Sequence, residues 1–201
     1  MKPQILIIHG GSTYPSYEEY LTNLKNKDVK LERIKATRDW KDTFQEKIGN
    51  EYDVFVPNMP NKTNAQYNEW KIWFEKIIDK LNDNLILVGH SLGGSFLVRY
   101  LSENDLSRKI KALFLISTPH DDQNLSEPLV EFNVQLSLER LVKQCPKIYL
   151  INSKDDPVVP ESELEKYKKE LPNAEVIMLE NRGHFWQEEL PELVGLIKKI
   201  K

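Results

Sequence analysis

The chain has 201 residues, 28 of them lysine or arginine and 31 aspartate or glutamate, for a formal net charge of −3. The length suits one domain, residues 1–201, with a sizeable core, and the balanced charge leaves no basic stripe for nucleic acid and no polybasic cluster for an anionic membrane. A single cysteine, Cys145, excludes an intramolecular disulfide, and no apolar run is long enough to span a membrane or form a secretory core, so a cytoplasmic protein is expected.

The first predicted element is a strand at 4–8, an apolar run that stops at His9-Gly10-Gly11-Ser12. Tyr14-Pro15 leads into a helix over 17–24, with Ser16 and Glu19 spaced as a capping box. A charged stretch over 26–50 follows, its second half reading as a helix over 39–48 that carries Trp40. A strand at 52–56 ends ahead of Asn58-Met59-Pro60. The clearest helix covers 64–81, where Trp70, Trp73, Phe74, Ile77, Ile78 and Leu81 share one face as a core stripe. Thr63 and Gln66 fit a second capping box.

A strand at 85–88 then runs into Gly89-His90-Ser91-Leu92-Gly93-Gly94 and a helix over 93–101. Further strands are expected at 112–116, 148–151 and 176–179, and further helices at 129–142, 161–171 and 188–200. Cys145 reads as a small packed residue. The strands are mostly unbroken apolar runs, as in sheets covered on both faces. Their alternation with helices predicts an α/β fold, a doubly wound and mainly parallel sheet of six strands with helices on both faces. Such sheets place their sites at the carboxyl ends of the strands.

G-x-S-x-G between a strand and a helix is the arrangement of a nucleophile elbow. The turn is tight enough to strain its central residue. Glycines at 89 and 93 let strand and helix pass closely. A phosphate cradle would favour G-x-G-x-x-G or a lysine after the last glycine, and neither is present. Ser91 therefore reads as a nucleophile. A serine hydroxyl needs a base to take its proton, and the base needs a carboxylate to fix its tautomer.

The last two strands end at Ser153-Lys154-Asp155-Asp156-Pro157 and Arg182-Gly183-His184-Phe185. They supply an acid and then a histidine, both after the serine. His184 reads as base and acid. Either Asp155 or Asp156 could orient it, and Pro157 favours an extended backbone at Asp156. The backbone N–H of Leu92 is one candidate oxyanion donor. Gly11 is the second, with Ser12 as the other candidate. His9 reads as a structural hydrogen-bonding residue, His90 as turned away from the cleft, and His120 as a turn residue.

In these motifs, together with His9-Gly10-Gly11, Asn58-Met59-Pro60 and Asp156-Pro157-Val158-Val159-Pro160, the chain resembles the α/β-hydrolase superfamily. Within it, the chain is similar to the small lidless serine hydrolases of the retinoblastoma-binding-protein-nine group. The resemblance implies a three-layer α/β-hydrolase fold, Asp156 rather than Asp155 as the triad acid, modest activity on short acyl esters, and in some members a protein-binding role. The charged 26–50 segment departs from the group.

The expectation is a carboxylesterase-like serine hydrolase acting on a small ester through an acyl-enzyme, with no metal or organic cofactor and no nucleic-acid or membrane partner. Tyr14, Met59, Pro60, Leu92, Pro119, Phe185 and Trp186 are candidate substrate-binding residues by loop position. An amidase, thioesterase or peptidase with the same triad, or a protein-binding module with incidental hydrolysis, are the rival readings.

Overall fold

The computed structural model describes residues 2–35, 37–123, 125–134 and 137–200. Six strands, β1 (Gln4–Ile8), β2 (Asp53–Phe55), β3 (Leu85–His90), β4 (Ile110–Ile116), β5 (Ile148–Ser153) and β6 (Glu175–Leu179), form one sheet in the order β2-β1-β3-β4-β5-β6. Every pairing is parallel. Each predicted strand is present.

The central strands are apolar because both of their faces are covered. All six residues of β3 are buried. Along β1, Leu6 and Ile8 enter one core layer while Ile5 and Ile7 enter the other. This is the two-residue alternation of a pleated strand. The first layer packs Leu6, Leu87 and Leu115 against Trp70 and Phe74 of α4 (Tyr67–Ile78) and Phe96 of α5 (Leu92–Glu103). The second packs Ile7, Val88 and Phe114 against Trp40 and Phe44 of α3 (Trp40–Ile48) and Leu193 and Ile197 of α8 (Pro191–Lys198).

The remaining helices are α1 (Tyr17–Asn26), α2 (Leu31–Ile34), α6 (Glu139–Gln144) and α7 (Glu161–Glu170). The short α2 was not expected from the sequence. The helix expected over 129–142 is instead a single 3-10 turn, Val130–Phe132, followed by α6. Phe132 enters the α4 layer with neither flank continuing the helix, and residues 135–136 lie outside the described residues. The Ser16 cap forms, with Ser16 Oγ accepting the Glu19 N–H at 3.1 Å.

The Thr63–Gln66 box does not form. Helix α4 starts later, and the Tyr67 N–H donates to Glu131 Oε2 at 3.1 Å instead. Trp73 of the predicted core stripe is 42% exposed, and Tyr67 takes a core place in the α4 layer. Cys145 is buried, and burial alone pushes its thiol up to about 12, so it is an inert packed residue.

From β1 the chain moves outward to β2 and then crosses back to place β3 on the other side of β1. The reversal leaves a crevice at the carboxyl ends of β1 and β3. His9-Gly10-Gly11 and Ser91 sit there.

Candidate active site

Ser91 directly follows β3 and forms the N-cap of α5, at φ 54° and ψ −127°. A non-glycine residue in that region is strained, and the surrounding packing holds it there. A Cβ on Gly89 would lie 2.5 Å from the Gly94 Cα, and one on Gly93 or Gly94 would strike Ile8 or Thr118. The glycines are needed for close approach, which lets α5 start against the sheet edge. The Ser91 N–H donates to the Ile116 carbonyl at 2.9 Å and its carbonyl accepts the Gly94 N–H at 2.8 Å.

His184 follows β6 and Asp156 follows β5. The imidazole Nδ1 lies 2.9 Å from Asp156 Oδ2 and 3.1 Å from Oδ1. Asp156 is shut off from solvent. It also accepts hydrogen bonds from Ser117 Oγ at 2.6 Å and from the amides of Val158 and Val159 at 2.8 and 3.0 Å. Burial opposes its charge, but the hydrogen bonds and charge of His184 and the Ser117 hydroxyl outweigh it, holding the carboxyl below the usual range. With Nδ1 facing the acid, Nε2 is the imidazole atom left to exchange a proton.

Ser91 and His184 line one cavity. Among the described residues no hydrogen bond joins the Ser91 hydroxyl to the imidazole, a looseness common before substrate binds.

Asp155 has a separate task. It accepts from Ser153 Oγ at 2.5 Å and from the Arg182 and Gly183 amides, each at 3.2 Å, and so pins the turn ahead of His184. The geometry thus separates two aspartates that the residues alone left open. The stretch over 26–50 also contributes. The Trp40 N–H donates to the Gln187 carbonyl and Thr43 Oγ1 to the Glu188 carbonyl, tying α3 to the chain just past His184.

Ser12 is excluded as an oxyanion donor because its N–H is bonded to the Lys62 carbonyl at 2.9 Å. Gly11 lines the cavities beside Ser91. The Leu92 N–H is the first of α5, where no intrahelical acceptor exists.

The histidines divide as follows. His9 accepts the Met59 N–H at Nε2 (2.9 Å), so its Nδ1 carries the proton and donates to the Gly10 carbonyl at 2.6 Å. It is structural, as expected. His90 differs from expectation. It is buried directly beneath the imidazole of His184, ring centroids 5.0 Å apart, and Nε2 donates to the His184 carbonyl at 3.0 Å. Burial, with the Lys41 and His184 charges, keeps it neutral. Its Nδ1 and the nearby Trp40 indole N–H are buried without partners.

His120 is also no solvated turn. It is buried against Tyr167, with Nε2 3.0 Å from Glu170. The wholly buried Glu163 accepts its N–H and that of Asp121. Neither Ser117, with φ 42°, nor Glu163 was anticipated. A serine one residue past an apolar run carries no sequence signal of its own.

Two cavities meet at Ser91. One, of about 30 Å³, is walled by Leu92, Pro119, Leu125 and Val159. The other, of about 360 Å³, is walled by His184, Trp186, Asp39, Lys41 and Lys62. Leu92, Pro119 and Trp186 are therefore beside the site. Trp186 is 61% exposed, its ring edge set against the imidazole at 5.5 Å. Four expected substrate contacts are corrected. Met59 and Phe185 are core residues lining neither cavity, and Tyr14 faces a separate surface pocket with its hydroxyl on Asn23. Pro60 lines neither cavity, and its carbonyl accepts the Trp70 indole N–H at 2.8 Å.

A family model described as serine hydrolase matches residues 34–190. Over 151 residues the chain is 26% identical to Serine hydrolase RBBP9 of Rattus norvegicus, covering 74% of this chain and 78% of that one. It is 24% identical over 161 residues to YdeN of Bacillus subtilis strain 168, covering 78% and 83% of the two chains. The crystal structure of the ydeN gene product from B. subtilis matches with a TM-score of 0.78 at 21% identity, over 99% of this chain and 98% of that one. The architecture is the three-layer α/β-hydrolase fold.

Proposed function

The chain belongs to the serine hydrolase family, and from that premise we propose that it cleaves small carboxylic esters through an acyl-enzyme. Ser91 attacks the carbonyl carbon while His184 Nε2 takes the hydroxyl proton. Asp156 holds the imidazole in the tautomer that leaves Nε2 open and stabilises the imidazolium. The amides of Leu92 and Gly11 receive the oxyanion. The imidazolium returns its proton to the departing alkoxide, and water then repeats the cycle on the acyl-serine.

The observation that carries this reading is the burial of a four-fold hydrogen-bonded Asp156 against His184 Nδ1, with His184 and the strained Ser91 sharing one cavity. The cavity of about 30 Å³ supports a short acyl group, since it holds little more than a pair of small groups.

The test is hydrolysis of p-nitrophenyl acetate, butyrate and octanoate beside p-nitroacetanilide. The expected order is acetate, then butyrate, then octanoate, with the anilide far below. Ser91→Ala should lower kcat by about 10⁶-fold. Turnover of the anilide at the rate of the acetate, or full activity in Ser91→Ala, would overturn the proposal.

A further inference from the structure

We propose that the alcohol released by this enzyme carries an anionic group, carboxylate or phosphate, held by Lys62 and Lys41. The inference rests on the esterase reading of Ser91 and His184. In the step that acylates Ser91, the ester C–O bond breaks and the imidazolium gives its Nε2 proton to the departing oxygen. The leaving group must therefore lie on the His184 side. His184 lines the cavity of about 360 Å³ and does not line the smaller one. The acyl group takes the small apolar side, and the alcohol takes the large one.

The large cavity is lined by two lysines, Lys41 and Lys62, and two acids, Asp39 and Glu127. Of the two acids, Asp39 is already paired. Both Asp39 oxygens are engaged, Oδ1 by the Lys41 N–H at 2.8 Å and Oδ2 by Lys41 Nζ at 2.7 Å. Glu127 is exposed, lines both cavities and, like Lys62, has no ion pair among the described residues. Lys41 has a 10% exposed side chain and three N–H donors with one carboxylate partner. Lys62 is exposed, and among the described residues its ammonium has no ion pair.

The two lysines also repel charge in the same small region. Burial pushes the Lys41 ammonium below the usual lysine range, although Asp39 and then Asp42 oppose this, and the Lys62 charge adds a smaller push in the same direction. Burial, with both lysine charges adding, lowers His9 beside them. An anion placed between Lys41 and Lys62 relieves that repulsion and takes up their unused donors.

The test uses acetyl esters of 4-hydroxybenzoate, of 4-hydroxyphenyl phosphate and of the uncharged 4-hydroxybenzamide. The readout is the ratio of kcat/KM for each charged ester to that for the amide, in the wild type and in Lys62→Gln and Lys62→Glu. Comparing ratios between proteins cancels the intrinsic reactivity of each leaving group. The ratio should fall about ten-fold in Lys62→Gln, as expected for loss of one charge-assisted contact, and further in Lys62→Glu. The effect should shrink as salt is raised. Whichever charged ester loses more identifies the anion.

Ester turnover with the same ratio in all three proteins overturns the inference and leaves the esterase reading standing. No turnover of any ester, together with no labelling of Ser91 by a fluorophosphonate, removes both.

Discussion

The turn after β3 is made of backbone packed against backbone, whereas the loops after β5 and β6 are held by side-chain hydrogen bonds. At the turn, Gly89 and Gly93 each stand where a Cβ would meet the backbone of another residue. At the loops, Asp156 has four hydrogen-bonding partners and Asp155 has three more residues attached to it. Contact between backbones tolerates no added atom, because neither side can rotate away. A hydrogen-bonded loop loses partners one at a time. The first region should therefore fail through stability and the second through chemistry.

The largest separation is expected between the two aspartates. Asp156→Asn should lower kcat by about 10⁴-fold, because an amide beside Nδ1 favours the wrong tautomer. Asp155→Asn keeps an oxygen for the Gly183 turn and should cost only a few-fold. Steady-state kinetics on a short acyl ester reads both, and equal losses would merge the roles that the geometry separates.

Acid titration sharpens the same point. The Asp156 carboxyl is held below the usual range when folded, so its contribution to stability is present above the unfolded value near 3.9. It is lost as pH falls through the lower folded value. Thermal melts below about pH 4 should therefore be steeper in pH for the wild type than for Asp156→Asn.

The turn is tested by moving one methyl group. Gly89→Ala forces a Cβ against the Gly94 Cα and should cost about 3 kcal/mol, roughly 6–12 °C in melting temperature for a domain of this size. The same change at Gly195, within α8 and with nothing inside 4 Å of the added atom, should stabilise by about 0.5–1 kcal/mol. If the two variants melt alike, close backbone approach is not what shapes the turn.

The contrast also explains what could be read from the sequence. Buried parallel strands must be unbroken apolar runs, so β1 and β3 to β5 announced themselves, and the glycines around Ser91 marked a close approach with few other causes. The interior of 129–142 was misread because Val134, Leu138 and Leu141 are buried at helix-like spacing, although no continuous helix joins them. Ser117, His90 and Glu163 were hidden for another reason. Their partners lie 39, 94 and 43 positions away, and a single polar residue says nothing about where its hydrogen bond goes.

Loop position likewise could not distinguish Trp186, whose ring edge meets the imidazole, from Phe185, which turns into the core at φ 57°. The 26–50 segment gave no hint that Lys41 would open onto the cavity of Ser91.

Reaction of the intact protein with a fluorophosphonate, followed by mass spectrometry of its peptides, addresses the central claim most directly. The account predicts one adduct, on Ser91, formed slowly or not at all in His184→Ala although that variant stays folded. An unmodified Ser91, or an adduct whose rate ignores the loss of the imidazole, would contradict it.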